Sequence, residues 1–415
     1  MECRDSSSTS SSICFIRLPA IINWTLLISI NMTTLLLLFL FLLYYLTKHL
    51  PEEEAKKWFI LCTSFVLFLI SGLRHEAVGN DTFAYMLHFE RTLDTSWSEI
   101  FRNFLENYLN PVSTEGKDPA YSVFVKLVGT ILPNSRLYLF VIAAILLTSI
   151  GYFIHTFSVD LRSTLFCYAF YISMFYGYLP NSAIRQSLAL SIVLFAYCLA
   201  FKRNLIWSVL LVLLASTFHK SALLALLFFM FIKIKNVKIV YAGSFLLFLI
   251  MLVFSNEISL FFADSTNDIY SGYLSGSYYG ETSKPIMVVI LFFSLFVLSL
   301  YGLRLDDDYV YHRPFYYGTA LTLVFVPLVW VNPTLLRVLS YFVLWMGLLV
   351  QLLLRKAYYG KVILFGIILV FLMYSLKSIN SYRFMWQHME LHERYSSVIH
   401  PKTCIDDKTR TIFAS

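Results

Sequence analysis

Asn181–Asn204 reads NSAIRQSLALSIVLFAYCLAFKRN. An arginine and a glutamine sit in the opening turn of an apolar run, and a lysine and an arginine close it. Such a run, near the span length of about 20 residues, reads as a helix crossing a bilayer. Hydrocarbon offers no hydrogen bonds, so every backbone amide in the run must pair within the segment. The same design recurs along the chain. Candidate helices fall near Thr33–Thr47, Trp58–Gly72, Leu137–Phe157, Ser163–Leu179 and Ile184–Phe201. Others fall near Ile239–Ser255, Pro285–Leu303, Phe315–Trp330, Thr334–Leu354 and Val362–Leu376. Leu205–Ile232 is one apolar stretch interrupted by His219 and Lys220, which predicts a hairpin or a re-entrant loop.

Composition points the same way. Charged residues form only 14% of the 415, against about 25% in an average soluble domain, too few to coat a water-exposed surface. The expectation is an all-α, polytopic membrane fold of about 10–13 spans or re-entrant hairpins. The net charge of +7 does not imply nucleic acid, because the basic residues punctuate apolar runs and form no single patch. The six cysteines make no CxxC pair, and Cys62, Cys167 and Cys198 read as small buried hydrophobes.

Lys56, Lys57, Arg162, Lys202, Arg203, Lys233, Lys235 and Lys238 flank the spans, followed by Arg304, Arg313, Arg355, Lys356 and Lys361. Placing these in the cytoplasm gives one consistent zigzag, provided 119–132 lies in the interface. Three regions follow. Residues 1–31 form an N-terminal extension, disordered or an extra hydrophobic segment, with Met32 a candidate true start. Residues 32–379 form the membrane domain, with outer loops near 74–136 and 256–284, and 380–415 form a polar tail.

Four polar groups then fall on the outer face. Gly72–Tyr85 (GLRHEAVGNDTFAY) carries Arg74, His75, Glu76 and Asp81, with Asn80 or Asp81 placed to cap a following helix. In the second group, Arg185 and Gln186 occupy a helix N-terminus, where a cation meets the positive end of the dipole and an anion would relieve it. His219, Lys220 and Ser221 mark the tip of the apolar hairpin. Finally, Arg337 lies one turn into a span, with Tyr341 four residues on and expected on the same face. Solvated loops, snorkelling arginines and interface histidines are the plain alternatives for each group taken alone. Three arginines and a histidine gathered beside a carboxylate at one membrane face instead describe a site for a diphosphate, which the planar guanidinium fork suits.

The motifs R-x-x-x-x-G-x-D-x-x-x-Y, I-R-Q-x-L-A, F-H-x-S-A and R-x-x-x-Y-F occur in that order from Arg74 to Phe342. Together they resemble the EpsG-type branch of bacterial polysaccharide polymerases, similar in role to the Wzy O-antigen polymerases, over about Met32–Leu376. The resemblance implies a multispanning glycosyltransferase of GT-C type in the bacterial inner membrane, its site facing the periplasm. It would join undecaprenyl-diphosphate-linked oligosaccharides into O-antigen, capsular or exopolysaccharide, with a chain-length regulator as a further partner. Arg74, Arg185, Gln186, Arg337, Tyr85 and Tyr341 would bind the diphosphate and glycan. Asp81 is the first candidate base, with His219 second and Glu76 third, since Glu76 is also placed to pair with Arg74. No nucleotide-binding pattern and no metal-ligand spacing is present, so neither metal nor cofactor is expected. A flippase for lipid-linked oligosaccharide and an O-antigen ligase are the competing readings. Charges gathered at one face favour a surface reaction over passage.

The topology has a direct test. In a cysteine-free background, single cysteines at Ser113 and Thr266 should react with an impermeant maleimide in whole cells. Labelling at Lys235→Cys instead would invert the assignment.

Overall fold

The computed structural model describes residues 32–79, 81–109, 118–202, 204–255, 257, 286–306, 309–331, 335–356, 382 and 384–386. The first half contains α1 (Met32–Thr47), α2 (Glu52–Gly72), α3 (Thr82–Asp94), α4 (Trp97–Leu109), α5 (Pro119–Ile131), α6 (Ser135–Phe157) and α7 (Leu161–Tyr171). It continues through α8 (Ile184–Phe201), α9 (Leu205–Phe218), α10 (Leu226–Ile232), α11 (Val237–Val253), α12 (Ile286–Leu305), α13 (Tyr309–Phe325) and α14 (Val343–Lys356). Among the described residues there is no strand, only one isolated antiparallel bridge between Arg74 and Phe384.

Three helices, α2, α6 and α8, are long and apolar enough to cross a membrane, and shorter apolar helices surround them. These three pack on one another, α6 lying between α2 and α8. The expected outer loop 74–136 is itself helical where described: α3, α4 and α5 form a layer at the end of the bundle, with α3 and α5 against α6. The expected span Val362–Leu376, the extension before Met32 and nearly all of 256–284 and of the tail lie outside the described residues.

Three expected continuous spans are broken. Ser163–Leu179 resolves into α7 and a π-helical turn, Ile172–Tyr176, which widens the helix. Tyr176 from this turn hydrogen-bonds the Leu67 carbonyl at 2.8 Å and lies 3.0 Å from Ser71 Oγ. Phe315–Trp330 stops at Phe325, where Val326 and Pro327 form a turn and a proline cannot supply the next amide. Thr334–Leu354 divides into a four-residue helix, Leu336–Leu339, and α14. Arg337 and Tyr341 therefore do not share a helical face as the spacing predicted. The expected hairpin does form: α9 ends where His219 is extended, and a 3₁₀ segment, Lys220–Ala225, leads into α10.

Trp345 of α14 anchors the bundle. It is fully buried, with ring centroids of Phe157, Phe153 and Phe228 at 4.6, 4.7 and 5.0 Å, and Tyr197 at 5.6 Å. Rings from α6, α8 and α10 thus meet one indole, in tilted, edge-on and stacked geometries. Close approach of α13 depends on Gly318, where a Cβ would lie 2.2 Å from Trp345 Cβ. Small residues at such crossings are how membrane helices bring their backbones together. Gly318→Ala should therefore lower the unfolding temperature of the purified protein in detergent. Gly243→Ala, on a helix face with nothing within 4 Å of the added Cβ, should leave it equal or higher.

Candidate functional site

The four motifs converge at one end of the bundle. Gly79 makes the first junction: its φ is +87°, and a Cβ there would lie 2.5 Å from Asn181 O. A glycine is required twice over, for the backbone sign and for the contact. The contact presses the Gly72–Tyr85 loop against the segment leading into α8. Thr82 reinforces it, its Oγ1 lying 2.6 Å from both Asn181 O and Val78 O and accepting from Arg74 Nε at 3.4 Å. Asp81, one residue earlier, occupies the N-cap position of α3 but makes no side-chain capping bond. The residue keeps solvent contact although protein surrounds much of its carboxylate, and the guanidinium groups of Arg337 and Arg185 act on it electrostatically. Desolvation by the surrounding protein is the stronger influence and raises its pKa above the ordinary carboxylate value.

Arg185 stands in the first turn of α8, as the sequence indicates, and the anion that relieves it comes from the protein. Asp118 Oδ2, at the start of α5, accepts from Arg185 Nη1 at 2.9 Å and lies 3.9 Å from His219 Nδ1. Burial pushes the Asp118 carboxyl up, but His219 and Arg185 outweigh it and hold the group below the usual carboxylate range. The Arg185 guanidinium lies over the rings of Tyr121 and Tyr85, 5.5 and 5.8 Å from their centroids. Both distances suit cation–π attraction. His88 stacks on Tyr121 at 5.5 Å, and burial, then Arg185 and Arg91, lower its pKa.

Gln186, the neighbour of Arg185, is buried and donates from Nε2 to Arg337 O at 2.7 Å and to Ser340 Oγ at 3.1 Å. Two motifs far apart in sequence are tied by one amide. Tyr341 is buried, and its hydroxyl lies 3.1 Å from Ser221 Oγ, which links the hairpin tip to the start of α14. Asp81, Tyr85, Arg185, Gln186, His219, Arg337 and Tyr341 are thus brought to one end.

Arg74 and Glu76 are placed otherwise. Arg74 is fully buried, bonded to Ser71 O and Thr82, and desolvation lowers its pKa to about 10, still cationic at neutral pH. It braces the loop from beneath. Glu76 does not pair with Arg74. It lies 3.4 Å from Arg136 Nη2, while Arg136 Nη1 donates to Arg74 O at 3.0 Å.

Sequence reasoning missed two residues, Asp118 and His88. The Asp118-Pro119 pair carried a signal, since an acidic residue before proline begins a helix. Nothing in that pattern says the carboxylate serves another helix. The C-terminal region is also nearer the site than expected: Met385 N donates to Leu73 O at 2.9 Å, and the Tyr382 hydroxyl bonds Ile70 O. Among the described residues no cluster of histidine, cysteine and carboxylate is arranged to hold a metal.

The fold and this end define a multi-helix membrane protein whose polar site gathers arginines, a histidine and carboxylates from five separate segments. A family model described as the EpsG family matches residues 57–388, and the chain belongs to the EpsG family. The match begins later than the resemblance suggested and runs past Ser381 to include the Tyr382–Trp386 segment. No curated protein and no solved structure matches the chain.

Thr82 carries a prediction. Thr82→Val keeps the shape but strips Arg74 Nε and Asn181 O of a shared partner, at a cost of about 1–3 kcal/mol. Thr82→Ser should restore most of it, read as unfolding temperature in detergent.

Proposed function

We propose that this protein is a polysaccharide polymerase of GT-C type. It transfers a growing glycan from its undecaprenyl diphosphate to the terminal sugar of the next lipid-linked repeat unit. We place the site at the periplasmic face of a bacterial inner membrane. Family membership supports a role in polysaccharide polymerisation. The observation that carries the reaction is the convergence of Asp81, Arg185 and Arg337 at one end of the helices.

In this reading Arg185 and Arg337 receive the donor diphosphate, and Gln186 fixes Arg337 relative to Arg185 through the Arg337 carbonyl. The acceptor hydroxyl oxygen attacks the anomeric carbon of the donor glycan. The carbon–oxygen bond to the diphosphate breaks, and its electron pair leaves with the diphosphate, whose charge the arginines offset. The hydroxyl proton passes to Asp81. A carboxylate without a capping duty and with a raised pKa suits that role better than an ordinary surface aspartate. His219 is the second candidate. Tyr85 and Tyr121 keep Arg185 in place through their ring faces.

The base must be ionised to act, so rate should rise with pH through the raised Asp81 pKa and fall on acidification below it. Asp81→Asn should slow chain extension by about 10²–10⁴-fold. Because desolvation penalises the ionised carboxyl, the neutral amide should leave the protein at least as stable as the wild type. Arg337→Ala should cost about 2–5 kcal/mol of binding or rate, with lysine a partial substitute. Long chains made at the normal rate by Asp81→Asn would move the base to His219. In a deletion strain, loss of a polymerase leaves single-repeat products attached. Loss of a ligase leaves none attached, and loss of a flippase strands units inside the cell.

A further inference from the structure

Asp118 plays no part in the reaction as written, yet its position is unusual. It stands immediately before α5, with Pro119 in the first helical position. An aspartate there ordinarily accepts from the amides of its own helix. Asp118 makes no such bond, and its side chain is only 8% exposed. A carboxylate taken so far out of water needs cationic partners. Arg185 of α8 supplies one at 2.9 Å, and Nδ1 of His219, the extended residue after α9, lies 3.9 Å away.

Resting on the proposed reaction, we propose that Asp118 is a positioning residue that holds Arg185 and His219 to one side of the donor diphosphate and tempers the charge of Arg185. A guanidinium carries five N–H donors, so its bond to Asp118 leaves capacity for a diphosphate oxygen. With Nδ1 of His219 turned to Asp118, Nε2 is the ring atom left for a substrate oxygen. The tempered charge has a kinetic use. An Arg185 without its carboxylate would bind the ground-state diphosphate tightly and give none of that energy to the transition state. A carboxylate sharing Arg185 lowers ground-state affinity and keeps the fork aimed for the moment when charge develops on the leaving group.

The test separates affinity from turnover, which a merely supportive residue would change together. Purified full-length protein in nanodiscs is assayed for undecaprenyl diphosphate binding and for chain extension from lipid-linked repeat units. Asp118→Asn should bind undecaprenyl diphosphate as tightly as the wild type or more so, while extending chains about 10- to 100-fold more slowly. Asp118→Glu, which keeps the charge, should restore wild-type affinity and part of the rate. Weaker binding by Asp118→Asn together with a lower unfolding temperature, or unchanged extension, would overturn the assignment. If Asp118→Asn does not fold, Asp118→Glu decides alone: slowed extension at wild-type affinity supports positioning, and unchanged extension overturns it. If the wild type extends no chains, the polymerase reading fails by itself. Binding by Asp118→Asn then still decides, equal or tighter supporting the role and weaker refuting it.

Discussion

A guanidinium in the first turn of a helix faces the positive end of that helix's dipole, and at a membrane surface little bulk water is available to relieve it. Arg185 is in that position, and the ion pair with Asp118 is what makes it tenable. Much of the functional end follows from this constraint. Asp118 has to reach Arg185, so the start of α5 must meet the start of α8, and α5 also packs on α9. Tyr121, in the first turn of α5, is thereby laid against the guanidinium beside Tyr85 of α3, the two ring centroids 5.7 Å apart. The layer of short helices is held to the bundle by the same charge that the proposed chemistry uses.

A second set of bonds ties that layer to the bundle. Arg74, buried at the end of α2, ties Ser71 and Thr82, and Thr82 reaches Asn181 just before α8. Arg136, at the start of α6, holds the Arg74 carbonyl and Glu76. The Tyr382–Trp386 segment adds backbone pairing at Leu73 and Arg74. Asp81 is carried on a loop, but the loop is pinned on three sides. As the proposed base, it would have to meet a sugar hydroxyl within hydrogen-bond reach, and that anchoring would serve it. The site is connected to the core below it as well, since Ser340 accepts from Gln186 five residues before Trp345, where the aromatic side chains of several helices meet.

Helical class, a membrane setting and several helix bounds were legible in the sequence. The Ile184–Phe201 helix has the residues its apolar run predicted, and the break at His219 came from two polar residues in an apolar stretch. Backbone chemistry in hydrocarbon permits few alternatives, so composition and periodicity suffice for these. The four motifs also named most of the residues that gather at the functional end. Breaks inside apolar runs were less visible. The turn at Pro327 had a local signal, whereas the π turn at Ile172–Tyr176 and the stop after Leu339 depend on how neighbouring helices fit.

Sequence by itself determined which residue types were available and on which end of a helix each would lie, because span length and charge placement are local properties. Only the tertiary structure decided the partners. It gave Arg185 to Asp118, Glu76 to Arg136 and Gln186 to the backbone of Arg337, pairs separated by 60 to 151 residues. It also took Arg74 out of the exposed set and buried it beneath the loop. The physical reason is that an ion pair depends on distance through space, and the long-range helix contacts that set this distance have no signature in any single stretch of chain.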